Sequence, residues 1–314
     1  MGKKYLVTGA TGFVGSHLAR RLVQNNDDVH VFTRPQSNKW RIGDIINSIN
    51  DHQVDLTNGP ETEKAISQIR PDVIYHCAAY GVCPGQHDVI RSGEVNTMGT
   101  INLVEALMKI GSYQCMINTG SSAEYGRKSK PITENDSFEP NTAYGATKAG
   151  AALFCEAMAR AKDQPIINLK LMSPYGPYDE LNRLVPAVIK KCLAGQDPEL
   201  STGIESRSFF FMDDLIDLYM IIPDSKWNPG EVVIAGPNEQ YSVRDIATRI
   251  IRLTGANVQP LFSALPPREF DTDYWIADIT KVNKLFGWTP RVDIDEGLRR
   301  TIEWYRTSEV CKQN

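Results

Sequence analysis

The chain has no Cys-x-x-Cys pair: its six cysteines, Cys77, Cys83, Cys115, Cys155, Cys192 and Cys311, are scattered over 314 residues. That scatter excludes a zinc ribbon or a dithiol redox motif and reads as reduced thiols in a cytosolic protein. No apolar run reaches the roughly 20 residues that span a bilayer. The opening Met1-Gly2-Lys3-Lys4 passes straight into a strand pattern instead of an apolar leader. A cytoplasmic location and no membrane partner are therefore expected. Basic excess is also missing, since 34 Lys and Arg face 38 Asp and Glu for a net charge of −4. That balance argues against nucleic acid as the partner. The five histidines, His17, His30, His52, His76 and His87, form no metal-spaced cluster, so no metal is expected. No tandem repeat or low-complexity tract is visible.

What is present is ordinary in bulk: 41% hydrophobic and 23% charged residues, enough for a sizeable core. Short apolar runs predict strands over 5–8, 29–32, 73–77, 115–118 and 166–171. Helical spacing predicts helices over 13–25, 61–70, 95–110 and 143–161. Strands alternating with helices imply an α/β fold, a doubly wound parallel (Rossmann) sheet with right-handed crossovers. After about Pro174 prolines and glycines break the alternation. The chain is read as a dinucleotide-binding domain over 1–174 and a smaller C-terminal α/β substrate lobe over 175–314, with some later segments returning to the first domain.

Gly9, Thr11, Gly12, Phe13, Val14 and Gly15 belong to a glycine-rich turn between the first strand and its helix. The first glycine permits the tight turn, the second admits a pyrophosphate to the backbone, and the third lets helix and strand approach. The helix N-terminus adds positive potential for the phosphates. Sites that prefer NAD place an acid at the end of the second strand, on the ribose 2′-hydroxyl. Here that strand ends Phe32-Thr33-Arg34, with Lys39 and Arg41 shortly after. A hydroxyl beside guanidinium suits a 2′-phosphate, so NADP(H) is favoured, with NAD(H) as the alternative.

Tyr144 and Lys148 stand four residues apart at the start of a long helix and share one face. A phenol that titrates near ~10 becomes useful at neutral pH only if its phenolate is stabilised, which a neighbouring ammonium does. Upstream, Ser121 follows a strand at the carboxyl edge of the sheet, where it can donate to the carbonyl oxygen that Tyr144 protonates.

Together these segments resemble the extended short-chain dehydrogenase/reductase family, in its nucleotide-sugar epimerase/dehydratase branch. Further segments carry the likeness: Asp55-Leu56, His76-Cys77-Ala78-Ala79, Asn96, Ser173-Pro174-Tyr175-Gly176-Pro177, Arg207 to Asp214, Arg268 with Asp271, and Ala277-Asp278 to Trp288. The resemblance implies that Tyr144 is the acid/base, Lys148 its electrostatic partner and Ser121 the oxygen-orienting donor. It implies cofactor contacts from Asp55 and Leu56 (at the adenine), Ala78, Ala79, Tyr80, Asn96, Ser173 and Pro174. For Asn96 a structural helix cap is an equal reading. Ser121, Ser122 and Ser173 would face the sugar, and Arg207 and Arg268 the diphosphate of a nucleotide-diphosphate sugar. Helices 95–110 and 143–161 correspond to those of a four-helix homodimer interface in the family.

Two departures narrow the expectation. Sugar 4,6-dehydratases of the branch carry an acidic pair just after the Ser/Thr, where this chain has Ser122 and Ala123; Glu124 falls one position later, where strand geometry should turn it away. The family's usual Asn before Tyr-Gly-Pro is Ser173. The leading expectation is a reductase that uses NADPH on the 4-keto group of a nucleotide-activated 4-keto-6-deoxyhexose. The alternatives are an NAD-dependent nucleotide-sugar epimerase and, less favoured, a non-catalytic NADP(H) sensor.

Overall fold

The computed structural model describes residues 2–81, 85–266 and 272–308. The chain runs β1 (Lys4–Thr8), α1 (Phe13–Gln24), β2 (Asp28–Thr33), β3 (Asn50–Gln53), α2 (Gly59–Ile69), β4 (Val73–His76), α3 (Val89–Ser92), a π-helical segment (Gly93–Met98) and α4 (Gly99–Ile110). It continues with β5 (Cys115–Ser121), α5 (Ala143–Lys162), β6 (Ile166–Leu171), β7 (Ser173–Tyr175), α6 (Leu184–Leu193), β8 (Ser206–Arg207), β9 (Phe209–Phe211) and α7 (Met212–Ile221). The last elements are β10 (Val232–Ala235), β11 (Tyr241–Ser242), α8 (Val243–Thr254), α9 (Thr280–Phe286) and α10 (Ile294–Thr307).

Seven parallel strands in the order β10-β6-β5-β4-β1-β2-β3 form the main sheet. Its central strands are mostly apolar on both faces because helices cover both, as a parallel sheet requires. Leu18, Leu22, Leu215 and Ile216 from α1 and α7 pack on one face, and Ile66, Leu103 and Leu107 from α2 and α4 on the other. A third cluster, built from Val188, Ile189, Ile246, Ile250, Leu298 and Ile302, ties α6, α8 and α10 together beyond the sheet. Two small strand pairs, β7 with β9 and β8 with β11, belong to this later part. Among the described residues no helix is long and apolar enough to cross a membrane.

Two elements differ from the sequence reading. β3 was not expected, because Asn50-Asp51-His52-Gln53 shows no apolar alternation; it pairs with β2 through His30–Asn50 to Thr33–Gln53. β10, from well beyond residue 174, is a later segment that returns to the sheet of the first domain, at the edge beside β6. The helix expected over 95–110 starts earlier, at Val89, and is interrupted by the π-helical turn Gly93–Met98. Such single-turn bulges are often found at functional sites; the buried residue of this one is Asn96.

Candidate active site

The glycine loop is fixed by close backbone approaches. Gly9 has φ +69°, and a Cβ there would lie 2.6 Å from the backbone nitrogen of Ala78. At Gly15 a Cβ would lie 2.3 Å from the Gly9 carbonyl oxygen, so the helix can approach β1 only without a side chain. The Gly12 N–H donates to Gly9 O at 2.9 Å and closes the turn. Gly12 caps α1 without a side-chain hydrogen bond, and the first turn holds no acid. Thr11, Gly12, Phe13 and Val14 are all partly accessible. That arrangement fits a pyrophosphate: free first-turn amides, positive helix-end potential and no competing carboxylate.

Behind the loop, Thr8 and His76 end β1 and β4 side by side. The His76 ring bonds Thr8 Oγ1 at 2.7 Å and Thr100 Oγ1 at 2.9 Å, fully buried. Burial, with Lys148 nearby, pushes its pKa down to about 3, so the imidazole is neutral. Ala78 donates its N–H to Thr8 Oγ1 at 3.3 Å; Ala79 is exposed and Tyr80 half-buried along the same loop.

Asn96 requires a correction. It has no exposed surface; its Oδ1 accepts from Tyr80 N at 2.7 Å, and its Nδ2 lies 2.8 Å from Tyr80 O and 2.9 Å from Thr147 Oγ1. Neither a helix cap nor a direct cofactor contact, it clasps the Tyr80 loop to α5, and any effect on a cofactor passes through that loop. Asp55 is also engaged: Oδ1 accepts from Thr57 N and Oγ1, and Oδ2 pairs with Arg91 at 3.1 Å. Burial alone would raise its pKa, but Thr57 and Arg91 hold the carboxyl below its ordinary value. Leu56 next to it is buried.

The end of β2 also departs from expectation. Thr33 is buried and donates to Asp51 Oδ1 at 2.7 Å, while Lys39 pairs with Asp51 Oδ2 at 2.5 Å. The buried Arg41 donates to Tyr178 O at 2.7 Å and Thr11 O at 3.2 Å, and pairs with Glu180 at 2.8 Å. The hydroxyl and two of the three cations read from sequence as a 2′-phosphate pocket are therefore already bound to protein groups. Arg34 alone of the three is exposed, and no ion pair among the described residues involves it. The acid that engages Thr33 and Lys39 comes from β3, the strand that the sequence concealed.

On the other side of the sheet centre, α5 brings the catalytic candidates together. Thr142 caps it, accepting from Gly145 N at 3.0 Å, which places Tyr144 in the first turn. Gly145 lies against the turn after β5: a Cβ there would lie 2.4 Å from Ala123 O. Tyr144 also borders the β4 loop, its Cβ 3.4 Å from where a Cβ of Gly81 would stand. Lys148, one turn on, is 2% exposed, and burial lowers its pKa from the ordinary lysine value. Ser121 ends β5 partly accessible; its Oγ accepts from Ala123 N at 3.2 Å and its N–H donates to Glu124 Oε1 at 2.7 Å.

Ser122 is buried, and its hydroxyl lies 3.2 Å from the Trp275 indole nitrogen, which donates to it. The Arg207 guanidinium sits 5.5 Å from the Trp275 ring centre and donates to Ser206 O at 2.6 Å. Trp275 thus links the serine turn to Arg207, a link no sequence signal announced. Ser173 pairs with Phe209 and donates its N–H to Ser208 O at 3.1 Å; Pro174 follows, buried. Arg268 lies outside the described residues. Glu124 and Lys170 were also missed as a pair. Lys170 is the one charge in a six-residue strand that is buried throughout, and a buried lysine needs an acid partner, so a signal did exist.

Fold and site define an extended short-chain dehydrogenase/reductase: a doubly wound parallel sheet, a glycine loop at its first turn, and Tyr144 and Lys148 on the helix that flanks Ser121. Over residues 5–235 the chain matches the model of the NAD dependent epimerase/dehydratase family, and it belongs to that family. It is 26% identical to a dTDP-glucose 4,6-dehydratase of Neisseria meningitidis serogroup B, across 99% of this chain and 96% of that one. It is 27% identical to a trifunctional UDP-glucose 4,6-dehydratase/UDP-4-keto-6-deoxy-D-glucose 3,5-epimerase/UDP-4-keto-L-rhamnose-reductase of Arabidopsis thaliana, over 96% of this chain but about half (47%) of that protein. Among solved structures, UDP-glucuronic acid 4-epimerase from Bacillus cereus, in complex with UDP-glucuronic acid and NAD, superposes with a TM-score of 0.86. It is 28% identical, with 96% of this chain and 99% of that chain covered.

Proposed function

We propose that this enzyme transfers hydride at C4 of a nucleotide-diphosphate sugar without eliminating water, and that it works as an NADPH-dependent reductase of a nucleotide-activated 4-keto-6-deoxyhexose. The observation that carries this reading is the joint arrangement at β5 and α5. Ser121, Tyr144 and Lys148 are all present, yet Ser122 and Ala123 provide no carboxylate and Glu124 is buried. Loss of water across C5 and C6 needs an acid and a base at the sugar, and the two positions after Ser121 supply neither.

When bound, the dinucleotide supplies the hydride that reduces the sugar carbonyl carbon. Tyr144 gives its proton to the resulting oxygen, Ser121 donates a hydrogen bond to that same oxygen, and the Lys148 ammonium stabilises the phenolate left behind. Gly9, Gly12 and Gly15 with the first turn of α1 would hold the pyrophosphate, and Arg34 the 2′-phosphate. Arg207, positioned by Trp275, and Arg268 would hold the sugar-linked diphosphate. Tyr144→Phe is expected to lower turnover about 10³-fold, read as NADPH oxidation with UDP- and dTDP-4-keto-6-deoxyglucose. A variant that keeps most of the wild-type rate would sink this mechanism.

One observation favours a second reading, an NAD-dependent epimerase that oxidises and re-reduces the same carbon. Asp51 stands beside Thr33 and neutralises Lys39, the charge pattern of a site that receives a ribose hydroxyl. Stoichiometric NAD⁺ released from denatured protein, with no net NADPH consumption, decides for it. We further read the chain as a cytoplasmic homodimer. Leu153 is 55% and Met98 50% exposed, and Ala146, Leu153 and Ala157 form an open apolar stripe along α5. Light scattering that finds only monomer at micromolar concentration refutes the dimer.

A further inference from the structure

Beneath the serine turn lies a pair of opposite charges with no exposure at all. Glu124 and Lys170 are ion-paired, and both side chains are fully buried. Lys170 comes from β6, in register with Gly120 of β5; its ammonium also lies 4.9 Å from the centre of the Phe138 ring. The second carboxylate oxygen accepts the Ser121 N–H at 2.7 Å. Gly120 makes the space: a Cβ there would lie 2.5 Å from Lys170 Cδ and 2.8 Å from Glu124 Oε1. Apolar residues of similar volume usually fill such a space at no loss of stability, so stability alone is a weak reason for a buried ion pair.

We propose that Glu124 and Lys170 are the positioning pair of the catalytic set: Glu124, held by Lys170, fixes the backbone that presents Ser121 and sets the charge that Lys148 experiences. The inference deepens, and rests on, the Ser121–Tyr144–Lys148 reading. The groups that face Lys148 come from four elements: Glu124 from the turn after β5, Lys170 from β6, Cys155 from α5 itself, and Cys77 with neutral His76 from the end of β4. Burial lowers the Lys148 pKa; of the charges, Glu124 acts most strongly to raise it and Lys170 opposes. Removing the pair therefore takes away more support than opposition, and the lysine loses its proton at lower pH.

The test uses the full-length chain carrying Glu124→Leu with Lys170→Met, an apolar replacement expected to fold. Glu124→Gln serves as the second variant, and Tyr144→Phe as the control. Two quantities are read: turnover of UDP-4-keto-6-deoxyglucose against pH, and titration of the Lys148 ammonium by nitrogen NMR, assigned with Lys148→Met. The proposal expects kcat to fall about tenfold with KM nearly unchanged. It also expects the high-pH limb and the Lys148 midpoint to move down together. A folded variant with wild-type kcat and an unmoved midpoint overturns it. So does a loss of rate with the midpoint unmoved, because that is a purely structural effect. Should the double variant fail to fold, Glu124→Gln reports the same two quantities under the same criteria. If Tyr144→Phe retains turnover, the underlying catalytic reading fails, and the NMR midpoint still decides whether the pair sets the charge at Lys148.

Discussion

The two ends of the proposed dinucleotide site are built on different physical principles. At the glycine loop, recognition is a matter of backbone: Gly9 and Gly15 meet neighbouring main-chain atoms at 2.6 and 2.3 Å from where a Cβ would be, and no side chain caps α1. At the end of β2 it depends on side chains, and most of those are already committed, Thr33 and Lys39 to Asp51, Arg41 to Thr11 and Glu180. Backbone recognition of phosphate can be read from a few glycines, since nothing else fits. Selectivity for the 2′ position depends on which charges remain uncompensated, and that is settled only by the folded neighbours.

The strongest way to break the comparison is at its rigid end. Gly15→Val places branched carbon against the Gly9 carbonyl, so dinucleotide binding is expected to be lost altogether, measured by calorimetry with NADPH and NADH. A variant that binds either with near wild-type affinity shows that the loop is not backbone-limited. The same end carries an acid liability. His76 is neutral when folded with a pKa of about 3, against about 6.5 unfolded. Protonation therefore favours the unfolded chain; stability is complete above the unfolded value and falls as the pH drops toward the folded one. Between pH 6.5 and 4 the loss from this residue is about 3 kcal/mol. Urea midpoints across that window measure it, and an equally steep decline in His76→Asn would assign it elsewhere.

At the side-chain end the effects are smaller. Arg34→Ala is expected to weaken NADPH binding about 10- to 100-fold and leave NADH nearly unchanged, the value of one charge-assisted contact to a phosphate. Equal weakening of both cofactors would show that Arg34 does not meet the 2′-phosphate.

How much of this was legible follows the same division. The strands at the sheet centre are apolar runs, and α1 and α5 carry clear helical spacing, so the doubly wound alternation and the positions of Gly9, Ser121, Tyr144 and Lys148 relative to those elements follow from pattern. β3 does not, because Asn50 to Gln53 sits at the sheet edge and needs no apolar face; with it went the position of Asp51. The π-helical turn was also hidden, since the inward turn of Asn96 toward Tyr80 depends on tertiary hydrogen bonds rather than on spacing. Trp275 reaches Ser122 across 153 positions, a contact without local signal. Lys170 is the intermediate case: one charge inside Ile166–Leu171 announces a buried partner but not which acid it is.

The smallest effect tests the finest part of the comparison, the carboxylate that β3 contributes. Asp51→Asn keeps an oxygen to accept from Thr33, so the strand ends stay joined, while the charge that neutralises Lys39 disappears. If the site receives a 2′-phosphate, freeing Lys39 strengthens NADPH binding a few-fold, an effect that shrinks as salt rises because the group is partly exposed. NADH binding should stay constant or weaken slightly. If Asp51 instead faces a ribose hydroxyl, the same change weakens NADH and does little for NADPH. The ratio of the two dissociation constants, measured at low and high salt, thus separates an acid that only restrains a lysine from one that selects the cofactor, and with it the reductase from the epimerase.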